Sequence, residues 1–346
     1  MIFVGDIAIP YRNAVSLLNF PDTLKNKSWI GNLEGAVIQD PEKLQKESIV
    51  FNEKEGVRYL LEELNFSGLT LANNHIFDTG SLMETCDFLK SKKIPYCGIG
   101  KTLEEARNPI VLEEAGNKII ILNFGWEVIQ CEVTNGHYTG VNALTRKNVL
   151  RTVEKTILEN PDAKVIPFMH WSYELEAEPQ PFERELAKKL IDMGVAGVIG
   201  CHPHRIGGFE LYKNKPIVYS LGNWMFKQNY FFNGKLKFPD FCNQELALEW
   251  DFKTDEIKFH FFSFDRDASN LSYTHTEGIL SKTMSSNTPF RGFSNHEYRE
   301  WYKKNHYHKN KGLPIYYWED GELVVKLKNK INKFRDVLLQ IVLKLK

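Results

Sequence analysis

Six short apolar runs punctuate the chain, at Ile2–Val4, Gly68–Leu71, Ile119–Phe124, Val165–Phe168, Val195–Ile199 and Ile217–Tyr219, and each ends in a polar or glycine-containing loop. Runs this short and this rich in β-branched residues suit buried strands rather than core helices. Helical patterns lie between several of them. Val57, Leu60, Leu61 and Leu64 keep the 3.6-residue period, as do Leu186, Leu190 and Met193, with Pro181 placed to start the second helix. Strand and helix in alternation predict a largely parallel sheet covered by helices. After residue 206 the pattern changes. Phe209–Tyr212, Ile217–Tyr219, Glu245–Phe252 and Ile257–Phe264 are separated by the turn-like Lys213-Asn214-Lys215 and Lys253-Thr254-Asp255, and they read as antiparallel strands. Two packed sheets with helices outside is the simplest assembly.

A chain of 346 residues is long enough for one large core with a smaller appendage. Its 44 basic and 44 acidic residues balance, so global charge argues neither for nucleic acid nor for an acidic substrate. Cysteines 86, 97, 131, 201 and 242 form no disulfide framework and no C-x-x-C pair, which favours a reducing compartment. Met1-Ile2-Phe3-Val4-Gly5-Asp6 reads as an opening strand, not a signal peptide. No stretch reaches the roughly 18 apolar residues of a membrane span. The expectation is a cytoplasmic protein, peripheral on the inner face of the membrane if its C-terminal end docks there.

That end is distinctive. Residues 269–290 are polar and Ser/Thr-rich and are expected to form a loop or linker; residues 290–318 mix aromatics with Lys and His. Leu327, Ile331, Phe334, Leu338, Ile341 and Leu345 then follow at helical spacing, with seven Lys/Arg against one Asp between Lys326 and Lys346. This is a basic amphipathic helix, expected over residues 323–346. Its apolar face has two expected occupants, the protein itself (its own domain or a second subunit) and an anionic membrane surface. Nucleic acid is not expected, because no base-reading motif accompanies the charge.

Residues able to do chemistry gather where the apolar runs stop. Val195–Ile199 and Gly200 lead into Cys201-His202-Pro203-His204, two imidazoles held apart by a proline at the end of a strand, where open α/β sheets place ligands. A turn with two surface histidines reads equally well for that motif alone. Asp6 follows the first run directly, where an Asp is often only a helix cap. Glu34 stands in Gly31-Asn32-Leu33-Glu34-Gly35. Asn73-Asn74-His75 with Asp78 and Gly80 is a stronger signal, against an Asx-rich turn as the structural alternative. His170 ends a further run, and Tyr219-Ser220-Leu221-Gly222-Asn223 reads as an architectural junction. Asp6, Glu34, Asn74, His170, His202 and His204 together offer carboxylate, amide and imidazole ligands suited to two divalent ions of the Mn, Fe or Zn type. A carboxylate bridging two ions about 3.5–4 Å apart makes a hydrolytic centre.

These spaced motifs, with His170-Trp171 and Glu174 added, closely resemble the poly-γ-glutamate capsule-synthesis (CapA-like) family, itself similar in fold to calcineurin-like metallophosphoesterases. The resemblance covers residues 1–265 and implies an α/β fold, a four-layer αββα sandwich, with residues 266–346 as a C-terminal extension. It implies that Asp6, Glu34 and His204 hold one ion, and Glu34, Asn74, His170 and His202 the other. His75, steadied by Asp78, is the implied proton donor or charge stabiliser. Three positions depart from the pattern. Ile7 and Ala8 follow Asp6 where metallophosphoesterases have Asp-x-His, Cys201 replaces a small residue or histidine, and Ser172 replaces a glycine. The implied activity is that of a metal-dependent hydrolase, a phosphoesterase acting on a polymer precursor in capsule or cell-surface polysaccharide synthesis. The alternatives are a γ-glutamyl-type amide hydrolase or transferase, and a non-catalytic scaffold of a membrane-associated synthesis complex.

Overall fold

A computed structural model describes the chain except for residues 12–14, 42–43, 45–48, 136–137, 310–311 and 345–346. Two sheets dominate the described residues. The first runs Ser16–Leu18, Asn270–Gly278, Ile257–Asp265, Gln244–Trp250, Ile2–Ile7, Trp29–Leu33, Phe66–Thr70, Tyr96–Cys97, with Asn223–Trp224 also paired to Ile2–Ile7. The second runs Phe209–Tyr212, Lys215–Val218, Val198–Cys201, Lys164–His170, Asn117–Gly125, Ile110–Glu114. The centre of each sheet is parallel: Ile2–Ile7, Trp29–Leu33 and Phe66–Thr70 in one, Asn117–Gly125, Lys164–His170, Val198–Cys201 and Lys215–Val218 in the other.

Strand alternation sorts the apolar residues into two faces. Phe3, Ile30, Leu246 and Leu248 meet Ile119, Ile121, Ile166, Phe168 and Ile199 in one cluster, which is the seam between the sheets. Their chain neighbours Ile2, Val4, Ile120, Leu122 and Val165 belong to the cluster that takes in Val57 and Leu60 of the Lys54–Glu63 helix, Val149 and Val153 of Arg146–Glu159, and Leu186 and Leu190 of Pro181–Met193. The result is the expected αββα sandwich. Each fully buried Leu, Ile or Phe in these layers contributes roughly 1.5–3 kcal/mol. Pro181 begins its helix as expected, behind a capping box between Gln180 and Glu183.

One expectation for the last part of the chain requires correction. The segment expected as a loop contains the strand Asn270–Gly278, paired along its length with Ile257–Asp265 and flanked by Ser16–Leu18. It lies toward the edge of the sheet, so only Leu271 is fully buried and the rest stays polar, which hid the strand from a hydrophobicity reading. The sheet therefore continues past residue 265. Among the described side chains of the C-terminal helix, Glu322–Lys344, those of the apolar face do not pack on the domain: Leu323, Leu327, Ile331 and Phe334 are all exposed, while Asn332 is buried. The aromatic segment before it forms the helix Asn295–Lys309, whose Tyr298 and Tyr302 are buried against Pro181–Met193. Beneath that contact Arg184 makes a two-pronged ion pair with Glu210, at 2.7 Å on both arms, and Tyr219 donates to the same carboxylate.

Candidate metal centre

The parallel strands of both sheets deliver their chemistry to one rim. Asp6 lies at the end of Ile2–Ile7, Glu34 follows Trp29–Leu33, Asn74 and His75 follow Phe66–Thr70, and His170 is the last residue of Lys164–His170. His202 and His204 follow Val198–Cys201. Gly5 makes this convergence possible. A Cβ there would stand 1.8 Å from the Gly222 carbonyl oxygen, so only glycine lets the Asn223–Trp224 strand pair beside Asp6. The register with Trp29–Leu33 also shifts at Gly5, a bulge that re-aims the Asp6 carboxylate.

Glu34 stands at the centre of the cluster. It is fully buried, and neither carboxylate oxygen has a hydrogen-bond partner. His204 Nε2 is 3.7 Å from Glu34 Oε1 and His75 Nε2 is 3.8 Å from it. Candidate ligand atoms of Glu34, His202 and His204 lie within 4.8 Å of one another, as do those of Asp6, His170 and Cys201. Both imidazoles of the His-Pro-His turn thus lie beside the carboxylate of Glu34, the residue that the resemblance places in both ion sites. Asn74 Oδ1 and His170 Nε2 are 2.8 Å apart, within hydrogen-bond distance. Nδ1 of His202 is a further buried atom without a partner. A buried carboxylate and a buried imidazole nitrogen that both lack a protein partner fit a divalent cation.

Burial governs the electrostatics. It pushes the Asp6 carboxyl up to about 7 against the pull of the His202 N–H and Asn32, and it pushes Glu34 well above the carboxylate range, with Asp6 adding to the shift. It also drives His170 and His202 well below the usual imidazole range and His204 down to about 3. Neutral imidazole is the ligating form, so the same burial that penalises the carboxylates readies the histidines.

Sequence reasoning undervalued the residues that aim the ligands. Asn223 Oδ1 lies 2.9 Å from His204 Nδ1, while its Nδ2 donates to the Cys242 carbonyl. The oxygen can only accept, so His204 carries its proton on Nδ1 and turns the Nε2 lone pair toward Glu34. Asn32 donates to Asp6 Oδ1 at 2.8 Å, and the His202 N–H donates to Asp6 Oδ2 at 2.9 Å. Cys201 Sγ stands 3.2 Å from His170 Nδ1, on the ring edge away from Asn74. Asn73 braces the loop by donating to the Leu33 carbonyl and accepting from Gly35 and His75 N–H groups. Only the position of these residues beside ligand motifs hinted at such roles. Of the three departures, Ala8 joins an apolar cluster with Phe226 and Phe238, and Phe238 stacks on His204 at 4.6 Å. Ser172 has φ +68°, a conformation natural to glycine. His75 and Asp78 meet as expected, Nδ1 to Oδ2 at 2.7 Å, and His75 is half-buried.

Fold and site together define a class: an αββα sandwich that gathers carboxylate, amide and imidazole donors at the rim shared by its parallel strands. Within that class the chain belongs to a known family, since the model for the bacterial capsule synthesis protein PGA_cap matches residues 19–228. It is 29% identical over 249 residues to the capsule biosynthesis protein CapA of Bacillus anthracis, across 66% of this chain and 60% of that protein. It is 27% identical over 251 residues to the PGA biosynthesis protein CapA of Bacillus subtilis, across 66% of this chain and 63% of that protein. The match thus spans less than two thirds of either relative. Among solved structures, the 5'-nucleotidase precursor of Thermus thermophilus overlaps 73% of this chain and 45% of its own, at 15% identity and a TM-score of 0.37, too low to assign a fold.

Proposed function

We propose that this chain is a metal-dependent hydrolase of phosphate esters that serves the making of a capsule or other cell-surface polymer. The observation that carries the reading is Glu34, a fully buried carboxylate with no partner for either oxygen, set among imidazoles. Asp6, Glu34, Asn74, His170, His202 and His204 would hold two divalent ions of the Mn, Fe or Zn type. Bound there, the ions would supply Lewis-acid stabilisation of the charge that develops on a phosphoryl group. The chain's own residues do the rest. Asn223, Asn32 and Cys201 fix the directions of His204, Asp6 and His170. Asp78 holds His75 by Nδ1, so that a proton carried on Nε2 points into the site, where a leaving oxygen can take it. The polymer setting is supported by the family and by relatives named for capsule and PGA biosynthesis.

Those names favour a second reading on the same residues, hydrolysis or transfer of a γ-glutamyl-type amide; a third is a scaffold that does no chemistry. The test is the metal-loaded protein with p-nitrophenyl phosphate, bis-p-nitrophenyl phosphate and γ-glutamyl-p-nitroanilide. Turnover of a phosphate ester, lost in Asn74→Ala and His202→Ala, supports the proposal. Turnover of the anilide alone moves the bond to the amide. Metal content no higher than trace after reconstitution removes both enzyme readings and leaves the scaffold.

A further inference from the structure

The Glu322–Lys344 helix is attached by its polar side. Asn332 Nδ2 donates to the hydroxyls of Tyr173 and Tyr316, at 2.9 and 3.0 Å. Tyr316 donates in turn to Asn329, Lys328 donates to the Ile315 carbonyl and Asp320, and Lys333 pairs with Glu127. The opposite side carries Leu323, Leu327, Ile331 and Phe334, exposed by 83, 60, 46 and 66%. Their spacing of four, four and three residues makes one continuous stripe. A helix that merely packs on a globular domain is oriented the other way round, apolar side in.

We propose that this stripe is the protein's docking surface for an anionic lipid bilayer, lying in the interface plane with the sandwich carried above it. Charge decides among the occupants. Lys326 and Lys330 are exposed along one border of the stripe, whereas Lys328 and Lys333, of the seven basic residues between Lys326 and Lys346, turn to Asp320 and Glu127 on the attached side. Anionic headgroups complement that border while the stripe enters the acyl boundary. A second copy packed on the same stripe would bring two lysine borders together. A polyanion without an apolar phase would leave the stripe in water. The inference stands apart from the chemistry of the metal centre.

The experiment is co-sedimentation of the full chain with vesicles of phosphatidylcholine, with and without phosphatidylglycerol. Binding is expected only with phosphatidylglycerol and is expected to weaken as salt rises. Ile331→Asp with Phe334→Asp should abolish it, and Lys326→Gln and Lys330→Gln should each lower partitioning about fivefold. All four side chains are exposed, so circular dichroism melts should match wild type and exclude misfolding. Equal binding to both vesicle types, no binding, or full binding by the Asp variant overturns the proposal. So does a concentration-dependent dimer that the same Asp substitutions disperse, which would make the occupant a second copy.

Discussion

Glu34→Gln should invert the order of stabilities between metal-free and metal-saturated protein. The change is nearly isosteric and removes only the ability to carry negative charge. Without metal, the wild-type site holds a fully buried carboxyl group that has lost solvent and gained no hydrogen bond. An unsatisfied buried polar group of this kind costs roughly 1–3 kcal/mol, and the amide can recover part of that by donating to a neighbouring imidazole. With metal at one hundred times its dissociation constant, binding stabilises the native state by about 2.7 kcal/mol. An unfolding entropy of about 2.1 cal/mol/K per residue gives about 0.7 kcal/mol/K for a chain this long. Metal should then raise the wild-type Tm by about 4 °C, and in chelator the variant should melt about 1–4 °C above wild type. Scanning calorimetry of chelator-treated and metal-saturated protein reads both. A variant that melts below wild type in chelator and keeps the full metal shift would refute the reasoning, because Glu34 would then be a core partner and not a ligand.

Three further outcomes follow from contacts elsewhere. Breaking the buried Arg184–Glu210 pair by Arg184→Met alone should cost about 3–5 kcal/mol, whereas adding Glu210→Leu should restore much of the loss; additive losses in urea titrations would show the pair is not coupled. Glu249 is held down to about 2 by the hydrogen bond from His260 and by Lys27 at 2.6 Å. Its folded pKa lies below the unfolded one, so its contribution is present above pH ~4.5 and lost as pH falls toward 2. That contribution is about 1–2 kcal/mol after screening at the part-exposed Lys27, and Glu249→Gln should flatten the acid limb of stability by that amount. Asp78→Asn should lower kcat about 10–100-fold through His75 with bound metal unchanged by elemental analysis; loss of the metal as well would place Asp78 among the groups that build the site.

The sequence was legible where one residue does one job. The parallel strands announced themselves as β-branched runs, the helices by period, and the ligand types by standing where the runs stop. It was less legible where a residue acts through another. Asn223 looked architectural because nothing in Leu221-Gly222-Asn223 says that Gly5 admits a backbone close enough to put that amide on His204. Asn270–Gly278 looked like a loop because a strand near a sheet edge needs few apolar residues. The C-terminal helix showed its amphipathic period plainly, but period does not reveal which face meets the domain. Tyr173, far away in sequence, and Tyr316, just before the helix, decide that by offering hydroxyls to Asn332.

The His-Pro-His turn shows how far composition alone carries. Pro203 can be read from the sequence as a spacer between two imidazoles, yet the backbone does more than separate them. His202 has φ +96° and His204 φ +56°, both in the left-handed region, and His202 directly precedes a proline, which favours extended backbone instead. Such residues cost of order 1–3 kcal/mol each and persist only where their surroundings over-determine them. Here the His202 N–H is held by Asp6, the Pro203 carbonyl accepts from the Leu175 N–H at 3.0 Å, and His204 is held by Asn223. Each of those holds is itself part of the rim. The strain is therefore bound up with the cluster it shapes, turning two rings whose centroids lie 5.6 Å apart toward a single buried carboxylate. A turn selected only to connect a strand to the next element would have no reason to be built this way.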